Sequence, residues 1–372
     1  MAHKGKGTSP SRLIIIGGGP AGMVAGLLFA RAGVPTVVLE KHSDFLRDFR
    51  GDTVHPSTLE LFHELGLVHG LLSRPHDKVS ALTAEVDGRA VNVADFSRLP
   101  VSCPYIAMMP QWDFLDFVAQ SARIWPCFSL RMNAVVEDMS FDGAGRVDGV
   151  VMAGGERIGA DLVIAADGRS SLVRTRALLP LETIGAPMDI FWFRLPKEPT
   201  DDNNSGMVVR DGQIIVCIDR GDYWQAAYVL PKGAADTERA GGLDRFRARV
   251  AVTAPVLADL MTTITSWDQV KLLDVALDRL TSWHRPGLLA IGDAAHAMSP
   301  IGGVGINLAV QDAVAAANRL AGPMAQGRPV DAMLAGVEKR RMLPTRIIQR
   351  GQKLAQDNII GSVLRGASVR GG

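Results

Sequence analysis

The stretch that most constrains this chain lies close to its start. Leu13–Ile16 is an unbroken aliphatic run, Gly17-Gly18-Gly19-Pro20-Ala21-Gly22 follows at once, and residues 23–32 are mostly apolar again. Four apolar residues that stop at glycine and resume as a longer apolar segment read as strand, tight turn and helix. Gly17, Gly19 and Gly22 satisfy GxGxxG, in which the first glycine makes the turn, the second lets a pyrophosphate approach the backbone, and the third lets the helix pack on the strand. The helix start then offers unpaired N–H groups and a partial positive charge to the phosphates. A second apolar strand, residues 36–39, ends in Glu40, 23 positions after Gly17, where dinucleotide folds hold a ribose diol. The reading is a dinucleotide-binding unit, with NAD, NADP and FAD all left open.

Composition narrows the rest. At 372 residues, 47% hydrophobic and 21% charged, the chain has the make-up of a globular protein of about two domains. Its 40 Lys+Arg against 39 Asp+Glu leave a net charge of +1, without the bulk positive field of a nucleic-acid binder, so no nucleic-acid partner is expected. Cys103, Cys127 and Cys217 form no CxxC and no metal-ligand spacing, which points to reduced thiols in a cytoplasmic protein and to no metal site. No apolar stretch approaches 18 residues, so no transmembrane segment is expected. Residues 1–12 are polar and basic and lead into only four apolar residues, a floppy tail rather than a secretory signal.

Two further strand and loop motifs follow. Residues 161–166 form a buried-strand pattern that runs into Asp167-Gly168-Arg169-Ser170-Ser171-Leu172-Val173-Arg174. Residues 288–291 do the same and lead into Gly292-Asp293-Ala294-Ala295-His296, then Pro300, Gly303, Gly305 and Asn307 ahead of an alanine-rich helical segment. Backbone amides at Gly305, Ile306 and Asn307 would open that helix toward an electron-rich acceptor. Nine of the 39 glycines lie in the three motif loops, where a missing Cβ would let a flat, phosphate-bearing cofactor approach.

Together the GxGxxG start, the DGxxSxxR stretch and the GDAAHxxxPxxGxGxN stretch resemble the class A FAD-dependent monooxygenases, the aromatic hydroxylases of the para-hydroxybenzoate hydroxylase fold, in order and from residue 13 to about 320. The resemblance implies an α/β fold: a GR2-type Rossmann-like FAD-binding domain with an inserted antiparallel β-sheet substrate domain and a C-terminal helix. It implies FAD as cofactor, NADH or NADPH as transient electron donor, and O2 and a small-molecule aromatic or polycyclic substrate as partners. Hydroxylation would proceed through a flavin C4a-hydroperoxide, in a monomer or homodimer. Carried over residue by residue, Gly17, Gly19, Ala21 and Gly22 take the FAD pyrophosphate and Glu40, with Lys41 beside it, the adenosine ribose. Arg50 stands near the phosphates and Gln111 on the flavin side. Asp167 serves FAD binding and NAD(P)H passage, and Arg174 braces the loop. Asp293 holds the ribityl or phosphate region, while Gly305 and the backbone of Ile306 and Asn307 meet the pyrimidine edge. Plainer readings make Arg50 a surface arginine, Gln111 a helix cap and Arg174 structural. No catalytic base is assignable: His296 reads as structural, and His55 as a cap or a pocket residue. The alternatives of other classes are a reductase or dehydrogenase of the geranylgeranyl-reductase type and a non-catalytic flavin-binding protein.

The expected FAD-binding domain is discontinuous, residues 1–76, 104–180 and 266–330. Residues 77–103 and 181–265 make the substrate domain and residues 331–372 a C-terminal helical segment. Hairpin signals at Asp87-Gly88, Asp142-Gly143 and Gly154-Gly155 and period-2 segments between residues 184 and 230 support antiparallel sheet, with a helix expected over residues 236–252. Residues 331–358 carry Glu338, Lys339, Arg340, Arg341, Arg346, Arg350 and Lys353 on a helical pattern, which reads as a solvated face.

Overall fold

A computed structural model describes residues 12–46, 53–86, 88–176, 178–198 and 206–364, with the side chains of residues 359, 362 and 364 excepted. Arg50 lies outside the described residues. The chain is α/β with mixed sheets and divides into two units, residues 1–76, 108–184 and 277–348, and residues 77–107, 185–276 and 349–372. These bounds differ from the expected ones. Residues 266–276 group with the second unit, and residues 331–348, most of the helix Asp331–Ala355, group with the first, where Arg341 forms a buried ion pair with Asp312, while residues 349–372 group with the second.

The first unit is built on a six-stranded sheet in the order His284–Arg285, Leu288–Ala290, Leu162–Ala165, Leu13–Ile16, Thr36–Leu39, Phe128–Arg131. All neighbours pair parallel except the two-residue edge strand. Parallel strands covered on both faces need continuous apolar runs, and Leu13, Ile14, Ile15, Leu162, Val163 and Ile164 are fully buried. The chain leaves Leu13–Ile16 toward Thr36–Leu39 on one side and later returns to Leu162–Ala165 on the other. The strand order therefore reverses between Leu13–Ile16 and Leu162–Ala165, the crevice where open α/β sheets bind ligands at their carboxyl ends. The helix Pro20–Arg31 enters with Pro20 in its first turn, where a missing N–H costs nothing. The strands Val136–Phe141, Val147–Met152 and Arg157–Gly159 form an antiparallel meander.

The second unit holds a seven-stranded sheet in the order Lys271–Leu273, Met188–Pro196, Tyr223–Pro231, Gln213–Asp219, Gly206–Arg210, Ala81–Val86, Arg89–Asp95. It is antiparallel apart from the pairing of Gly206–Arg210 with Ala81–Val86. On one face Phe191, Phe193 and Tyr228 set their rings edge-on to Phe246 at 5.5–5.9 Å, a favoured aromatic geometry. Phe246 comes from the helix Leu243–Thr253. The helix expected over residues 236–252 is in fact two, Ala235–Ala240 and Leu243–Thr253, parted at Gly241-Gly242, where Gly242 takes φ +90°, a left-handed value that favours glycine. Just past the strand Met188–Pro196, Lys197 makes a buried ion pair with Asp219 (2.9 Å). No helix among the described residues is long and apolar enough to cross a membrane.

Candidate active site

Three loops converge at the carboxyl ends of the central parallel strands. At the first, Gly17 takes φ +103°, and its amide bonds the Leu39 carbonyl at 2.8 Å. A Cβ on Gly17 would lie 2.4 Å from the Ala166 carbonyl oxygen, and one on Gly22 only 2.0 Å from that of Gly17. Both glycines are therefore demanded by the chain itself: one by the crossing of two strand ends, the other by helix against turn. Gly19 differs, since a Cβ there meets nothing within 4 Å, and the same holds at Gly305. The GxGxxG pattern gives Gly17 to the turn, Gly19 to the pyrophosphate and Gly22 to helix packing, although all three also stand among the nine glycines read as leaving room for a cofactor. At Gly17 and Gly22, and at Gly303, whose Cβ would strike the Thr53 hydroxyl, the missing side chain makes room for protein. Ala21 is buried behind the turn against Gly292.

Glu40 is buried at the end of its strand. Its Oε2 accepts the Gly18 amide (2.7 Å), and Oε1 accepts the His42 amide (3.0 Å) and contacts His42 Nδ1. Burial works against its charge, but the Gly18 bond and the His42 contacts outweigh it and hold the carboxyl below the usual range. The carboxylate thus shapes the turn that precedes the helix. Lys41 is exposed beside it, and its charge reaches Asp167. Alongside, a groove of about 340 Å³ is lined in part by Phe45, Leu46, Trp112, Leu130 and Met132. Nothing in the motif pattern had indicated it. Gln111 is the first residue of the helix Gln111–Arg123, whose N-cap position is filled by Pro110, and is half-buried.

The second loop begins at Asp167. Its Oδ2 accepts the Leu172 amide (2.8 Å), while Oδ1 is enclosed and has no hydrogen-bond partner. Burial pushes this carboxyl up from its ordinary value. An enclosed carboxylate oxygen without a donor fits a ligand hydroxyl or N–H better than it fits a finished structure. Arg174 is structural: it bonds the Ala294 carbonyl through Nε (3.0 Å) and clamps Asp278 with both Nη atoms (3.0 and 2.7 Å). Arg169 was overlooked in the sequence because it fills a variable position of the motif. Its Nε reaches Asp293 Oδ2 at 3.2 Å and its Nη2 the Met298 carbonyl at 3.3 Å, joining the second loop to the third across 124 residues.

In the third loop, the side chain of Asn307 spends its full hydrogen-bonding capacity on the protein. Oδ1 accepts the His55 amide (2.9 Å) and the Thr58 hydroxyl (2.8 Å), and Nδ2 donates to the Thr53 and Gly303 carbonyls (3.1 and 3.2 Å). What remains for a ligand is backbone: the amides of Gly305, Ile306 and Asn307 open the helix Gly305–Ala325, where no intrahelical acceptor exists. His55 is the residue before Pro56 at the start of the helix Pro56–Glu64, and its side chain does not cap that helix. Burial lowers its pKa against the opposing bond with the Gly302 backbone, so it stays neutral at pH 7. His296 is buried and structural, as its sequence context implied; its Nε2 lies 2.6 Å from Asp312.

Residues 11–351 match the family model for an FAD binding domain. The chain belongs to that family. Members similar to it include 6-methylpretetramide 4-monooxygenase of Streptomyces rimosus, 31% identical over 96% of this chain and 86% of the relative, and dialkyldecalin synthase of Streptomyces rugosporus, 25% identical over 96% and 75%. Among solved structures, PqsL of Pseudomonas aeruginosa in complex with 2-aminobenzoylacetate superimposes with a TM-score of 0.81 at 21% identity, covering 95% of this chain and 96% of that one. The protein is an FAD-dependent monooxygenase whose reductant is NAD(P)H and whose oxidant is O2.

Proposed function

We propose that this monooxygenase hydroxylates a polycyclic aromatic substrate. The observation that carries the substrate class is the near full-length similarity to a 6-methylpretetramide 4-monooxygenase. The first unit is then a GR2-type Rossmann-like FAD-binding domain, and the second, with its antiparallel sheet, the substrate domain; the protein works in the cytoplasm.

The residues present fit FAD on two counts: the open space over Gly19 and Gly305, and the unsatisfied Oδ1 of Asp167. Bound there, FAD supplies the two-electron carrier that takes hydride from NAD(P)H and activates O2. The turn at Gly17, Gly19, Ala21 and Gly22 receives the pyrophosphate against the helix N-terminus. Glu40 accepts the ribose hydroxyls, and Lys41 adds positive charge nearby. The groove beside Trp112 and Met132 suits the adenine face. Asp167 accepts a hydrogen bond at Oδ1, and Asp293, held by Arg169, accepts one from the ribityl chain. Gln111 adds a polar contact on the flavin side. The amides of Gly305, Ile306 and Asn307 donate to the pyrimidine edge and so favour negative charge there on reduction. Neutral His55 sits one hydrogen bond from this loop and adds no charge to it.

The test is NAD(P)H oxidation by the purified holoenzyme with a panel of tetracyclic and smaller phenols under 18O2. One 18O atom in the product is expected. A product that is reduced or desaturated and carries no label would place the enzyme with the reductases instead.

A further inference from the structure

Behind the third loop lies a buried charged cluster that the proposed chemistry leaves unused. Asp312 is fully enclosed; its Oδ1 accepts Arg341 Nε (2.7 Å), and its Oδ2 accepts both the Gly292 amide (3.0 Å) and His296 Nε2 (2.6 Å). Burial opposes the charge on Asp312, but His296 and Arg341 outweigh it, so the carboxyl stays below its usual range and ionised. His296 must then carry its proton on Nε2, since that nitrogen faces the carboxylate. Its ring lies 5.0 Å from that of the fully buried Trp283. Arg341, read from sequence as part of a solvated basic face, is itself buried with only 8% of its side chain exposed. Its charge balances that of Asp312.

What this pair grips is the bend of the GDAAH loop. Gly292 takes φ +60°, a Cβ there would meet Ala21 at 2.9 Å, and its amide is turned inward to Asp312. Asp293, the next residue, faces the other way to Arg169. We propose that Arg341 is a positioning residue for FAD binding: through Asp312 it holds the Gly292 amide and His296, and with them the bend that presents Asp293. The long C-terminal helix then reaches the cofactor loop by one ion pair rather than by direct contact. This rests on the reading that the loop faces FAD.

The test uses the deflavinated full-length chain, titrated with FAD, with the thermal midpoint of each variant measured in parallel. Arg341→Met is expected to raise the FAD dissociation constant at least tenfold and, at saturating FAD, to move the visible bands of the bound flavin toward those of free FAD. Lys197→Met removes a comparably buried ion pair in the second unit, with side chains 5% and 6% exposed, and is expected to lower the midpoint while leaving the FAD constant within twofold. A constant within twofold for Arg341→Met, unchanged bands, or an equal rise in Lys197→Met overturns the proposal. Should Arg341→Met fail to fold, Arg341→Lys is read by amide exchange over residues 291–296. Exchange there at least tenfold faster than in the parent supports the proposal, and unchanged exchange overturns it. Asp293→Ala separates the premise: if it does not weaken FAD binding, the loop does not face FAD, whereas if it does and Arg341→Met does not, only the positioning role is lost.

Discussion

Two alanine substitutions in one turn are expected to fail in different ways. In Gly22→Ala the new Cβ would sit 2.0 Å from the Gly17 carbonyl oxygen and 3.2 Å from Ile15 Cγ2. Both neighbours belong to the central strand and its turn, so relief requires moving the helix Pro20–Arg31 by about 1 Å against a packed sheet. Overpacking of that kind costs roughly 1–3 kcal/mol, occasionally more, and backbone as the struck atom puts this case at the upper end. At roughly 2.1 cal/mol/K of unfolding entropy per residue, a chain of 372 residues loses about 1.3 °C per kcal/mol, so the apoprotein midpoint should fall by roughly 4 °C. In Gly19→Ala the Cβ meets nothing within 4 Å, and φ −74°, ψ −177° is extended backbone that alanine adopts freely. Its small loss as a helix cap is offset by a stiffer unfolded chain, which leaves apoprotein stability within about 1 kcal/mol. Binding should suffer instead. The methyl group occupies the space a pyrophosphate would enter, and losing phosphate contact with a helix N-terminus, worth about 1–2 kcal/mol, raises the FAD dissociation constant roughly tenfold or more. Thermal melts of the deflavinated proteins and FAD fluorescence titrations read the two effects separately. A midpoint loss in Gly19→Ala as large as in Gly22→Ala, or unchanged FAD affinity in Gly19→Ala, would refute the division of labour drawn from the geometry.

Other consequences follow from the charged groups. Burial raises the Asp167 pKa in the ligand-free protein, so the native state binds more protons than the unfolded chain above the ordinary value of 3.8, and stability falls as pH rises through that window. Asp167→Asn should therefore raise the apoprotein midpoint at pH 7, with no gain below pH 3.8, while weakening FAD binding roughly tenfold through loss of a charge-assisted hydrogen bond of about 1.5–3 kcal/mol; a midpoint that falls at pH 7 would contradict this. His55 has its pKa lowered from 6.5, so the unfolded chain binds more protons just below that pH and stability drops on acidification; His55→Gln should flatten the slope in melts between pH 5 and 7. Arg174→Met leaves the carboxylate of Asp278 buried without its clamp and should cost about 3–5 kcal/mol in denaturant unfolding. A loss under 1 kcal/mol would mean that water replaces the arginine.

What could be read from the sequence was local. The first strand, turn, helix and acid-ended strand lie within about 30 consecutive residues, and their apolar runs and glycine spacing are backbone requirements that no distant residue alters. The paired strands about Asp142-Gly143 and Gly154-Gly155 were legible for the same reason. Side-chain roles set by distant partners were not. Asn307 was read for its backbone, yet its amide group staples the loop to Thr53, His55 and Thr58, some 250 residues away. Arg169 has no signature until Asp293 is brought beside it. The basic run after residue 338 looked like a solvated face because helical periodicity says which residues share a side, but not what that side meets. There Glu338 accepts the Trp283 amide (3.0 Å) and contacts His284, while Arg341 turns inward.

The sequence by itself determined that a GxGxxG turn joins the first strand to the first helix and that two more glycine loops follow strands, because turn, strand and helix start are short-range conformational demands. Only the tertiary structure decided that Gly303 makes room for Thr53 rather than for a ligand, and it alone put a fully buried carboxylate behind the third loop with an arginine 29 residues on as its counter-charge. Burial is a property of the whole packed assembly, and a charge run carries no mark of which member will lose its water.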